Sequence, residues 1–179
     1  MEERTLSVTR PWTGRRVSVR VDEVERADGH RTTREVVEHP GAVAILAWDG
    51  ERLATVRQWR HATGKALLEI PAGTLEPHEP PQETARRELA EEAGLAAATW
   101  VAGPRFYTAP GFCTELMHLY LATGLEPAAT DRLGPDEDER LELVWQPFDE
   151  AVGAAARGEV ADAKSILGLL LVDRVRQGR

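Results

Sequence analysis

The sequence predicts an α/β fold, a mixed sheet with helices packed on its faces, and three observations lead there. Strand-like runs dominate up to residue 72, one helix-compatible stretch follows, and more strand-like runs precede two helical segments at the end. The 179 residues, 42% of them apolar, suffice for one domain with a full core, or for a domain with a small extension. No self-similar period or low-complexity tract is present, which argues against a solenoid.

In chain order, the alternation of Arg16 to Val21 reads as a strand with one apolar face, and "TREVVEH" as a second short strand. The interrupted arginines of "TRPWTGRRVSVR" read as a solvated strand face rather than an anion-binding patch. "GAVAILAW" is the first strongly apolar strand; it runs into Asp49-Gly50, expected to be a two-residue hairpin turn, and "RLATVRQW" returns from it. "ALLEIPAG" is expected to be a buried strand that stops at Pro71 and Gly73. Later strands are expected at "TWVAGPRFY", "ELMHLYLATGL" and "LELVWQP". A helix from Asp149 to Arg157 takes Asp149 as its N-cap and Gly158 as its stop. Another, from Ala163 to Val175, is expected to face the core through Ile166, Leu167, Leu170, Leu171 and Val175.

A formal charge of −8 repels phosphate backbones and anionic bilayers, so neither nucleic acid nor membrane is expected as a partner. The longest apolar run, Ile166 to Val172, is far short of the roughly 20 residues a span needs, and "MEERTLSVTRPW" has no stretch like a signal peptide. Cys113 is the only cysteine, which excludes an internal disulfide and fits a cytoplasmic protein. It is expected to be a buried, inert thiol rather than a nucleophile served by His118.

The helix-compatible stretch carries the chemistry. Pro80 and Pro81 suit a helix start, Gln82 to Ala93 are mostly good helix formers, and Gly94 sits where a left-handed cap is wanted. At about 100° per residue, Glu88 and Glu92 fall within about 40° of each other, and Glu91 lies about 60° to the other side of Glu88. Three carboxylates therefore share one face, with Arg87 at its edge. Such neighbours repel by a few tenths of a kcal/mol per pair, at the helix end where the macrodipole also disfavours negative charge. A solvated acidic face is one reading. The other is a divalent ion: the "PAG" elbow would hold the helix beside an exposed backbone carbonyl, and hard oxygen donors gathered from a helix and a loop suit Mg²⁺ or Mn²⁺.

This stretch resembles the signature of the Nudix hydrolases, and Gly73, Glu79, Arg87, Glu88, Leu89, Glu91, Glu92, Gly94 and Leu95 fill every specified place. The resemblance implies a Nudix-type α/β/α sandwich with additional N-terminal antiparallel strands. It makes Glu88, Glu91 and Glu92 metal ligands together with the carbonyl of Ala72, counts Glu91 and Glu92 as catalytic, and gives Arg87 the task of orienting the acids. Glu79 would brace the loop and helix. Family members cleave a diphosphate that joins a nucleoside to another group, so the signature names the bond and leaves the substrate open.

"VRQWRHATGKALLEIPAGTLE" is similar to the ADP-ribose pyrophosphatase branch of that family, as is Pro110-Gly111, placed fifteen residues beyond Leu95. Ala109 stands where the branch often has serine. The branch implies hydrolysis of ADP-ribose to AMP and ribose 5-phosphate, with Arg57, Trp59, Arg60, Pro110, Gly111 and Glu115 toward the substrate. Arg57 and Arg60 are expected at the same or neighbouring parts of a strand end, where a planar guanidinium suits a diphosphate; a plain surface role is the alternative. For Trp59 the choice lies between stacking on adenine and the core. Glu137 and Glu139, in the acidic loop, are candidate general bases or members of a solvated turn. The branch further implies a homodimer, with residues 1–40 as a dimerisation extension whose strands help form the adenine site and 41–179 as the hydrolase domain. Competing readings are another nucleoside diphosphate sugar, such as GDP-mannose, and a Nudix domain that binds a nucleotide without turnover.

Overall fold

A computed structural model describes residues 2–129 and 141–178 of the chain. They fall into two compact units, Met1–Gly41 with Phe106–Met117, and Ala42–Arg105 with His118–Arg179.

In the first unit, β1 (Arg4–Thr13), β2 (Ser18–Glu25) and β3 (Arg31–Glu38) form an antiparallel sheet in the order β1-β2-β3. The sequence marks β2 and β3 but not β1, because nearly every β1 side chain is exposed and burial imposes no alternation there. Its register also shifts between Thr9 and Trp12, around Pro11, which has no N–H to give to the ladder. The first-stretch arginines are paired across the sheet: Arg10 with Glu38 at 3.0 Å, and Arg20 with Glu38 at 3.2 Å. Cys113 bridges to Val37 and is half-buried rather than buried, since its segment lies along the outside of β3.

The second unit is built on a mixed sheet of seven strands. They are β4 (Ala42–Trp48), β5 (Arg52–Arg60), β6 (Lys65–Glu69), β7 (Ala72–Thr74), β8 (Leu95–Tyr107), β9 (Leu116–Pro127) and β10 (Leu141–Pro147). The path β10-β5-β4-β9-β8 is extended by β6 on β5 and β7 on β4. Among the described residues, three α-helices flank it: α1 (Pro81–Ala93), α2 (Phe148–Ala156) and α3 (Ala163–Arg176). Strand alternation distributes the core. Val43, Ile45 and Ala47 of β4 pack with Ala85, Leu89 and Ala93 of α1, whereas Leu46 lies against α3 close to Gly168. A sheet buried on both faces explains why β4 is apolar throughout. Among the described residues, no helix is long and apolar enough to cross a membrane.

Four local expectations are corrected. The hairpin turn is centred on Gly50-Glu51, with Asp49 and Arg52 facing each other: the Asp49 N–H donates to the Arg52 carbonyl at 3.0 Å, and the Asp49 carboxylate accepts from the N–H groups of Glu51 and Arg52. Gly50 takes the positive φ, +109°, that this turn requires. The "ALLEIPAG" strand does not end at Gly73; it breaks around Pro71, whose carbonyl accepts from Ile45, and resumes as β7 against β4. Asp149 is not an N-cap but lies in the first turn of α2, which begins at Phe148 because the Phe148 N–H already bonds the Glu51 carbonyl. Finally, α3 buries Lys164, Ser165, Gly168 and Leu169, while Leu170 and Val175 are exposed. Its approach to the sheet is set by small residues: a Cβ on Gly168 would meet Ile70, Leu119 and Leu46 each at 3.4 Å.

Candidate active site

Helix α1 is framed as its sequence requires. Pro81 opens it, Gly94 closes it in the left-handed conformation at φ +64°, and the Gly94 N–H bonds the carbonyls of Ala90 and Leu89. Burial of Thr84, Ala85, Leu89 and Ala93 fixes its rotation on the sheet. Glu88, Glu91 and Glu92 are thereby left half-buried together along its flank.

Arg87 is not at the edge of this group but in its midst. Its Nη1 donates to Glu88 Oε1 and to Glu91 Oε2, each at 2.8 Å, while Nη2 donates to Glu79 Oε2 at 3.1 Å. Thr84 Oγ1 also donates to Glu79, at 2.7 Å. Partial burial works against the Arg87 charge, but the hydrogen bonds to Glu79 and the attraction of Glu88 hold its pKa above the usual guanidinium value. The Arg87 hydrogen bond in turn holds the Glu79 carboxyl below the usual range. One cation thus organises the acids of the helix and the loop before it.

The elbow meets the same acids from the sheet side. The Ala72 N–H donates to Glu92 Oε2 at 2.9 Å. A Cβ on Gly73 would fall on the carboxylate of Glu88, so glycine is needed there for close approach. Among the described residues, no group of three or more His, Cys, Asp or Glu side chains is placed to hold a metal ion as it stands. The donor chemistry nevertheless fits a divalent cation: Glu88, Glu91 and Glu92 offer hard oxygens along one helix flank, and Glu88 and Glu92 meet the backbone at Gly73 and Ala72.

The remaining predicted residues are distributed as follows. Arg57 and Arg60 are three apart in β5 and therefore on opposite faces, not on neighbouring parts of one end. Arg57 is exposed and pairs across strands with Glu142 at 3.1 Å. Trp59 is not core, being 58% exposed. Arg60 donates through Nε and Nη2 to the two oxygens of Glu69, each at 2.7 Å. Pro110, Gly111 and Glu115 belong to the first unit, where the N–H groups of Phe112 and Cys113 both bond the Ala109 carbonyl and Thr108 Oγ1 donates to Glu115. Glu137 and Glu139 lie outside the described residues.

Sequence reasoning missed a buried ionic group behind the elbow. Glu69 is 2% exposed and accepts from both Arg60 and Lys164, itself 8% exposed. Lys164 also pairs with Asp162 at 3.0 Å. Ser165 ties this helix start to the strand, taking the Ile70 N–H on its Oγ at 2.8 Å and giving its own N–H to Asp162 at 3.0 Å. The available signal was Asp162 three places before Ser165, an N-cap spacing, beside a lysine just ahead of the apolar run Ile166 to Val172.

Burial would raise the Glu69 carboxyl, but the hydrogen bond from Arg60 and the charge of Lys164 outweigh it and hold the pKa below its ordinary 4.5. The unfolded chain therefore binds the proton first, and Glu69 contributes stability above its unfolded pKa that disappears as pH falls through its folded value. Melting temperature should drop as pH is lowered below about 4.5, and the slope should be shallower in Glu69→Gln. Equal slopes in the two proteins would remove Glu69 from the account.

Comparison with known proteins bears on this arrangement. The family model described as the NUDIX domain matches residues 38–169. An ADP-ribose pyrophosphatase of Mycobacterium tuberculosis (strain ATCC 25618 / H37Rv) is 42% identical, over 97% of this chain and 84% of the relative. A methanol dehydrogenase activator of Bacillus methanolicus is 39% identical, over 94% of this chain and 91% of the relative. A solved structure described as an ADP compounds hydrolase superposes with a TM-score of 0.86 at 25% identity, covering 99% of this chain and 96% of its own.

Proposed function

The chain belongs to the Nudix family, and from that premise we propose that it hydrolyses ADP-ribose with water to AMP and ribose 5-phosphate, with Mg²⁺ or Mn²⁺ as its cofactor. Nudix pyrophosphatase chemistry on a nucleoside diphosphate sugar is the coarser statement carried by its relatives. The observation that supports metal-dependent diphosphate hydrolysis most is the convergence of Glu88, Glu91 and Glu92 on Arg87 and on the Ala72-Gly73 elbow. ADP-ribose as the substrate is supported instead by the 42% identity to an ADP-ribose pyrophosphatase.

In this reading Glu88, Glu91 and Glu92, with the Ala72 carbonyl, hold the cation. When bound, a divalent ion supplies positive charge against the diphosphate oxygens and makes water a better nucleophile. Arg87 keeps the carboxylates oriented and Glu79 keeps Arg87 in place. Arg60 offers its guanidinium to the diphosphate, and Glu137 or Glu139 takes the proton of the attacking water. Trp59, Arg57, Pro110, Gly111 and Glu115 serve the nucleoside and the terminal ribose. A cytoplasmic homodimer, joined through strands within residues 1–40, completes the proposal.

The test is a panel of ADP-ribose, GDP-mannose and other nucleoside diphosphate sugars with product identification, run with Mg²⁺, with Mn²⁺ and after chelation. ADP-ribose should be turned over at least about tenfold more efficiently than the rest, a margin of about 1.4 kcal/mol in transition-state binding, and chelation should abolish turnover. A preference for GDP-mannose would replace the substrate. Tight nucleotide binding without any turnover would favour a sensor.

A further inference from the structure

The buried ionic group gives Arg60 a supporting apparatus that the reaction scheme above does not use. Arg60 is the only member of the trio with substantial exposure: its side chain is 38% exposed, against 9% for Lys164 and 2% for Glu69. Its Nε and Nη2 are committed to Glu69, and no hydrogen bond involves its Nη1 among the described residues. The guanidinium is therefore anchored along one edge, with the other edge left for an anion. It also feels the negative charge of Glu92, so the anchored cation and the acid flank of α1 act within one electrostatic neighbourhood.

Taken alone, Arg60 and Glu69 form a neutral pair, which attracts an incoming diphosphate weakly. Lys164 changes that balance, because it binds the same carboxylate from the buried side. Asp162 also pairs with Lys164 from the start of α3, where it is tied to Ser165, and its negative charge reaches Arg60 as well, so Lys164 is the cation that offsets both carboxylates behind the guanidinium.

We propose that Lys164 is a positioning residue that offsets the charge of Glu69 from behind, so that the anchored guanidinium of Arg60 presents its positive charge to the diphosphate of the substrate. The inference rests on the proposed role of Arg60 in the reading above and deepens it. Lys164 never touches the substrate; it acts through Glu69.

Charge deletion separates this from a merely structural role. In Lys164→Met, the whole charge of Glu69 falls on Arg60, and KM for ADP-ribose should rise about tenfold, with kcat changed less than about threefold. In the double variant Lys164→Met/Glu69→Gln, one charge of each sign is gone, the glutamine oxygen still accepts from Arg60, and KM should return to within about threefold of the parent. Calorimetric affinity for ADP should follow the same order without requiring turnover. A packing role for Lys164 predicts instead that the double variant is at least as impaired as the single one, and that result overturns the proposal, as does an unchanged KM in Lys164→Met. Should the single variant fail to fold, the double variant decides alone: parental ADP affinity supports the proposal, and affinity matching Arg60→Met overturns it. Parent protein that binds ADP in this order but turns over no nucleoside diphosphate sugar refutes the proposed reaction while leaving the inference standing. Parent protein that does neither refutes both.

Discussion

Glu92→Gln should lose roughly a thousandfold or more in kcat, the upper range for removing one electrostatic group that acts in a transition state, while remaining folded. Glu92 Oε2 accepts the Ala72 N–H at 2.9 Å, and the carbonyl oxygen of glutamine still accepts that bond, more weakly than the carboxylate. The substitution removes a charge from a half-buried flank already crowded with carboxylates, so it relieves repulsion among them. Melting temperature should stay within a few degrees of the parent, the range of a change near 0.5 kcal/mol. Steady-state turnover of ADP-ribose and thermal melting, measured on the same preparation, check both halves. Activity within tenfold of the parent would take Glu92 out of the catalytic set.

Gly73→Ala should damage both stability and activity. A methyl group there would coincide with the Glu88 carboxylate, the far end of a flexible side chain, which must swing aside to admit it. Gly73 is held in β7 against Val43, and Glu88 is held by Arg87. Gly73 does not have a positive φ, so the cost arises from space and not from backbone strain. Because the displaced group is a side-chain end, the cost should lie at the low end of overpacking, about 1 kcal/mol, and displacing Glu88 should reduce kcat by about a hundredfold or more. Denaturant midpoints and turnover rates measure the two effects. A midpoint and a rate both equal to the parent's would mean that the elbow and the helix are not in contact in solution.

Legibility in the sequence followed the physical range of each interaction. Helix α1 was readable from end to end, because Pro81, the helix-forming run and Gly94 act within a few residues of one another. The shared face of Glu88, Glu91 and Glu92 follows from helical pitch alone. Strand β1 was invisible because its side chains are exposed on both sides and leave no period to detect. The burial face of α3 was misassigned for another reason: large apolar residues such as Leu170 and Val175 are exposed, while Gly168 and Ser165 make the close approach. Hydrophobic spacing does not report packing that depends on small size. The Glu69–Lys164 pair joins residues 95 apart, and only the topology of β6 and α3 brings them together.

The position of Arg87 among Glu79, Glu88 and Glu91 means that the acids gathered along α1 are partly neutralised by a side chain of their own helix. The flank therefore holds its shape by internal ion pairing, unlike small domains that collapse when stripped of zinc, and its integrity should not vary with the divalent ion content of the buffer.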